Sequence, residues 1–192
     1  SSEKGFYKVQ INDNNFALLV IDTNETVLLT GDARDLGNTY KTEGSTDSKL
    51  FMEFNNFISQ NMRKREKAAK TRDSLSNTFQ AQLSITKDQK RIDSLSRILE
   101  PVFNKIAANE SAIIDEGRNY LLKFIDEHPS SFASISALNL LDKDKDISIF
   151  MKVNDALKAR YPNSNNLKPF YSFIAELNKL APGTAAPDFK LN

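Results

Sequence analysis

The sequence predicts an α+β protein that is mostly α: a small antiparallel β-meander at the amino terminus, then a long helical hairpin and an antiparallel helical bundle. Three observations carry this reading. Residues 6–43 alternate with a period of about two between short turn segments, as strands do. From Thr46 onward the apolar period lengthens to about 3.6. Prolines and cap residues then punctuate the last third at helix-length intervals.

In the first strand Tyr7, Val9 and Ile11 share one face, with Phe6, Lys8 and Gln10 on the other. Asn12-Asp13-Asn14-Asn15 supplies the turn, because Asn and Asp tolerate left-handed backbone and bond their own main chain. Phe16 to Ile21 is apolar on both faces, which suits a strand covered on both sides. Asp22-Thr23-Asn24-Glu25 is the next turn, followed by a strand over Thr26 to Thr30 that stops at Gly31-Asp32. A weaker strand covers Thr39 to Glu43, closed by Gly44-Ser45. Turns this short predict three or four strands in one antiparallel meander, with at least one face needing cover.

Leu50, Phe51, Phe54, Phe57, Ile58 and Met62 mark one face of the first helix, which Thr46, Asp47 or Ser48 would cap. That face is expected to pack on the sheet. The stretch from Arg63 to Arg72 carries six basic residues against Glu66 alone. A heptad series follows at Ile85, Ile92, Leu99, Ile106, Ile113 and Tyr120, with Leu95 and Val102 in a second column. This suits long helices folded into an antiparallel pair. Asn109 and Glu116 interrupt the second column, and Pro101 should bend or break the helix, so two helical pieces are expected. The tetrad Asp-Ser-Leu-Ser at 73–76 and 93–96 has different flanks and makes no repeat.

A helix through Tyr120 to Ile125 should end at His128-Pro129, since the residue before Pro avoids helical geometry. Ser130 or Ser131 then caps a helix carrying Phe132, Ile135, Leu138 and Leu141. Asp144 or Asp146 caps the next, with Ile147, Phe150, Met151, Leu157 and Tyr161 inward and Pro162 as the stop. Pro169 starts the last helix, with Phe170, Phe173, Ile174, Leu177 and Leu180 inward. Short loops between such helices imply antiparallel neighbours.

Composition narrows function more than it suggests one. With 26 basic and 25 acidic side chains the net charge is +1, so no overall field favours nucleic acid or an acidic membrane. No apolar run approaches the roughly 18 residues of a bilayer span. The opening Ser1-Ser2-Glu3-Lys4-Gly5 is polar and carries no signal peptide; either the native start was removed or there is no export signal. The absence of cysteine excludes disulfides, thiol catalysis and cysteine metal sites within these residues.

The candidate chemical motifs each have a plainer reading. His128, the single histidine, sits at a helix end where it interacts favourably with the dipole. Asp142-Lys143-Asp144-Lys145-Asp146 begins like a calcium loop, but Ile147 and Val153 stand where that loop needs Gly and Glu, so helix capping explains the aspartates better. The basic run at Arg63 to Arg72 lacks the aromatic residues that nucleic-acid binders interleave, which leaves a solvated face or a partner-binding arm. Phosphate-cradling loops and nucleophile elbows are absent from the sequence. The sequence therefore offers no catalytic, cofactor-binding or metal-binding residues.

A resemblance supplies the functional expectation. The last residues, Gly183-Thr184-Ala185-Ala186-Pro187-Asp188-Phe189-Lys190-Leu191, resemble the opening of thioredoxin-like domains. Such openings occur in the alkyl hydroperoxide reductase/thiol-specific antioxidant superfamily and in cytochrome-maturation oxidoreductases. Residues Gly5 to Ser45, especially Glu25 to Asp32 and Thr42-Glu43-Gly44-Ser45, resemble the second half of a β-rich domain that precedes thioredoxin-like domains in bacterial envelope proteins. Phe124 to Leu138 is similar to the helical segment that follows it, with its His-Pro-x-Ser turn.

The resemblance implies a β subdomain at 1–45 lacking its first strands, a helical domain at 46–180, and at 181–192 a linker with the first strand of a missing thioredoxin-like domain. It also implies a non-catalytic accessory region that positions a thiol–disulfide oxidoreductase of the periplasm or cell envelope. Its partners would be that carboxy-terminal domain and a protein redox partner or a second copy. Membrane association would come only through a removed signal or lipid anchor. The competing expectation is a free-standing helical protein–protein interaction module, marked by a large apolar patch away from the carboxy-terminal junction. A carboxylate-based enzyme would need acidic residues clustered in a pocket.

Overall fold

A computed structural model describes residues 3–86 and 88–179. The structure is 66% helical, and the fold is α+β, mostly α. The strands are β1 (Gly5–Asn12), β2 (Asn15–Ile21), β3 (Leu28–Thr30) and β4 (Lys41–Glu43), with a one-turn helix α1 (Leu36–Thr39) between the last two. Two long helices follow, α2 (Thr46–Ile85) and α3 (Gln89–Glu127), then α4 (Phe132–Leu138), α5 (Ile147–Arg160) and α6 (Lys168–Lys179). The thioredoxin-like opening at 183–191 and Leu180 lie outside the described residues.

The chain packs as two compact units, one formed by residues up to Asn56 with those from Leu121 onward, the other by Phe57–Tyr120. In the first unit the strands do not form one meander. β1 pairs with β2, and β3 pairs separately with β4. The reason lies on the far edge of β2, where side chains take the place of a third strand. The Leu18 carbonyl accepts from Tyr40 Oη (3.2 Å) and the Val20 carbonyl from Ser45 Oγ (2.8 Å) and Ser48 Oγ (2.7 Å), while the Val20 amide donates to Ser48 Oγ (3.0 Å). Those buried backbone groups are satisfied without another strand. Residues 36–39 coil into α1 ahead of β4, so the fourth strand starts later than the sequence predicts.

Ser45 also caps α2, accepting from the Ser48 amide at 3.2 Å, one residue before the candidates the pattern suggests. The predicted packing of α2 on the sheet holds through aromatic contacts. Phe6 meets Phe51 edge-on at 5.6 Å and Phe132 at 5.8 Å, Phe51 stacks on Phe54, and Phe54 meets Phe124 at 5.4 Å. This chain of rings links β1, α2, α3 and α4. Ser131 is the cap of α4, accepting from the Ala133 amide at 3.1 Å. Asp146 stands at the start of α5 but makes no side-chain cap there. In α6, Ile174 and Leu177 are buried, whereas Phe173 is exposed and meets Phe150 edge-on at 6.4 Å.

The second unit is an antiparallel helical hairpin, as the heptads predict. Phe57 stacks on Tyr120 at 3.6 Å, Asn61 Nδ2 donates to the Ile113 carbonyl, and Phe79 meets Phe103. α3 does not split at Pro101: it runs unbroken through that residue. Proline removes one backbone bond, but Leu99, Phe103 and Ile106 on its two sides keep the apolar seam half-buried. Ile85 is not part of that seam; it ends α2 and is exposed, as is Met62. Asp88 starts α3, accepting from the Lys90 amide at 3.0 Å.

Candidate functional site

A set of buried polar groups lies in the first unit, where the amino-terminal segment meets α2 and α4. Lys4, Asp47 and Ser131 are each less than a tenth exposed. Lys4 Nζ pairs with Asp47 Oδ2, and Ser131 Oγ donates to Asp47 Oδ1. Asp22 Oδ2 is 3.9 Å from the same ammonium, and the Tyr161 ring centroid is 5.4 Å away. Glu3 reinforces the junction by accepting from the Asn165 amide at 2.8 Å and from the Asn165 side chain. Those hydrogen bonds, the Asn165 side chain first, hold the Glu3 carboxyl below its ordinary range.

A lysine beside a serine could form a nucleophilic pair, but only a neutral amine can take the serine proton. Burial alone would push the Lys4 pKa down. The hydrogen bonds to Asp47 and Tyr161 outweigh burial and hold it above the ordinary lysine value. The ammonium has no lone pair to offer. Ser131 is committed too, its proton on Asp47 and its oxygen on the Ala133 amide. The cluster is a charged cross-link.

His128 lines a cavity of about 330 Å³ beside this cluster, together with Glu25 and Arg160. Its ring packs edge-on against Phe124 at 5.2 Å, and its carbonyl accepts from Ser134 Oγ at 2.6 Å. It stands one residue past the end of α3, and the Ser131 hydroxyl on the α4 cap is bonded to Asp47. The Asp142–Asp146 segment closes on itself. Asp142 Oδ1 accepts from the Asp144 and Lys145 amides, and Asp146 Oδ2 accepts from the Asp142 amide. These bonds hold the Asp142 carboxyl below its ordinary range, the Asp144 amide contributing most. Among the described residues no group of three or more potential ligands is placed to hold a metal ion. No described helix is long and apolar enough to cross a membrane.

A concavity of about 700 Å³ lies within the helical hairpin. Ala68, Val102, Ile106, Ala112 and Ile113 give it an apolar floor. Lys64, Lys67 and Lys105 stand on its rim against a single carboxylate, Glu116. Half of the basic run is ion-paired: Lys64 with Glu116 at 2.7 Å, Lys70 with Glu66 at 2.6 Å, and Arg72 with Glu110 at 2.9 Å and Asp73 at 3.0 Å. Arg65 Nε donates to Asn61 Oδ1 at 2.9 Å. Lys67 and Lys105 have no carboxylate within ion-pair distance among the described residues. The wall of the groove is the interrupted heptad column, Val102, Asn109 and Glu116. That column was visible in the sequence as a defect in the coiled-coil pattern; its use as a groove was not.

Comparison of the chain with known protein families, characterised proteins and solved structures finds no match.

Proposed function

We propose that this chain is a non-catalytic accessory region that positions a thioredoxin-like thiol–disulfide oxidoreductase domain in the periplasm or cell envelope. The observation that carries the reading is the Gly183 to Phe189 pattern, preceded in order by the β-rich and His128-Pro129-Ser130-Ser131 segments. In such oxidoreductases a cysteine pair near a helix amino terminus cycles between dithiol and disulfide. That chemistry would belong to the following domain, since this chain holds no cysteine. The lysine–serine–aspartate cluster is consistent with a supporting role, because its protonation state suits cross-linking rather than proton transfer. Thiol titration of the native full-length protein, with and without reductant, tests this reading. Two thiols appearing on reduction, coupled to insulin-disulfide turnover, are expected; a native protein without a redox-active thiol pair refutes it.

The hairpin groove favours a second reading, a helical protein–protein interaction module. Its apolar floor lies within Phe57–Tyr120, far along the chain from the carboxy-terminal junction. Capture experiments with the groove blocked by Ala112→Trp test this reading, which predicts loss of a bound partner. Unchanged capture by the blocked variant refutes it.

A further inference from the structure

The groove has the shape of a seat for one more helix. Its α2 wall presents Lys64, Lys67, Ala68 and Thr71, spaced by three and four residues as one face of a helix is. Its α3 wall runs from Val102 to Glu116 with the same spacing, about 21 Å at the helical rise per residue. A partner helix of about four turns matches that length. Two helices can bury only the seam between them. Val102 accordingly remains 42% exposed although it lies in the heptad series.

We propose that this groove binds an acidic amphipathic helix from a protein partner. The apolar ridge of that helix would cover Ala68, Val102, Ile106 and Ala112, and its flanking Asp or Glu side chains would meet Lys67 and Lys105. Charge decides between occupants. A second copy of this chain would set one lysine-rich rim against another, a like-charge arrangement that disfavours association. A nucleic acid would find phosphate partners on the rim but no aromatic platform on the floor. An acidic helix satisfies the rim and the floor together. On the neighbouring surface of α2, Arg63 adds a further basic side chain beside Lys67, while Lys70 is paired with Glu66. The inference rests on the interaction reading of the groove and holds whether or not a redox domain follows.

The test uses the full 192-residue chain and two fluorescent designed peptides of about 16 residues. Both carry Leu at alternating spacings of three and four. One has Glu on the flanks, the other Lys. By fluorescence anisotropy at low salt the acidic peptide should bind about two- to thirtyfold more tightly, the effect of two exposed ion pairs. That preference should shrink at about 0.5 M salt, where exposed charges are screened. Lys67→Glu with Lys105→Glu should invert the order, and Ala112→Trp should abolish binding while leaving the circular dichroism spectrum intact. Binding of neither peptide overturns the proposal. Equal affinities, blocked by Ala112→Trp, overturn the acidic partner but leave the groove as an apolar docking site. Binding untouched by Ala112→Trp removes the interaction reading as well. A dimer of the free chain that Ala112→Trp dissolves assigns the groove to a second copy and overturns the proposal too.

Discussion

Replacing Asp47 with Ala strips the buried Lys4 ammonium of its close counter-ion while leaving the lysine in place. Lys4 is 7% exposed, so water cannot take over the solvation that Asp47 provides. Removing one member of a buried ion pair costs about 3–5 kcal/mol. Asp22, 3.9 Å away and 38% exposed, remains as a weaker partner, which puts the expected loss near 3 kcal/mol. For a chain of this size that corresponds to a fall in Tm of about 6–12 °C. The assay is a double-mutant cycle by urea denaturation with Asp47→Ala, Lys4→Met and the two combined. The pair should recover the part of the loss due to the bare ammonium, because a methionine needs no counter-ion, leaving about 1–3 kcal/mol for the buried Ser131 hydroxyl that Asp47 no longer accepts. A single Asp47→Ala variant within about 0.5 kcal/mol of native, or a double variant that simply sums the two losses, would refute the reasoning.

Alkaline titration gives a related outcome. Because the Lys4 pKa is raised on folding, its stabilisation is complete below the free-lysine range near 10.4 and is lost as pH rises through the folded value. Tyr40 and Tyr171, both raised by burial, push the same way, so the lysine's share is the difference between native and Lys4→Met/Asp47→Ala stability curves above about pH 10. Gly44→Ala should cost about 2 kcal/mol or more by chemical denaturation. Gly44 has φ +89° and a Cβ there would lie 2.0 Å from the Thr26 carbonyl oxygen, so strain and collision coincide. Thr42→Val should raise stability by about 1 kcal/mol, seen as a higher Tm, because the buried Thr42 hydroxyl has no hydrogen-bond partner among the described residues and valine fits a strand.

Local chemistry made much of the fold legible. Alternation at Phe6–Ile11, the Asn12–Asn15 turn, the 3.6-residue spacing of Phe51 and Phe54, and the Ser131 cap each depend on neighbours a few residues apart. The heptads foretold the antiparallel hairpin because Ile113 and Tyr120 must bury one continuous seam. Pro101 misled because its local cost was visible and the packing of Leu99, Phe103 and Ile106 around it was not. The single meander failed for a similar reason. Short turns predict strand neighbours, but Tyr40, Ser45 and Ser48 close the far edge of β2 from elsewhere in the chain.

By itself, the sequence determined the periodicities, the caps and the lack of cysteine chemistry, because these follow from residue type and short-range spacing. Only the tertiary structure decided where Lys4, Asp47 and Ser131 meet, with Ser131 bonded to a residue 84 positions away. It also decided that a break in a heptad column would become the wall of a groove. Both depend on which distant surfaces exclude water together, and that is a property of the packed chain rather than of any window along it.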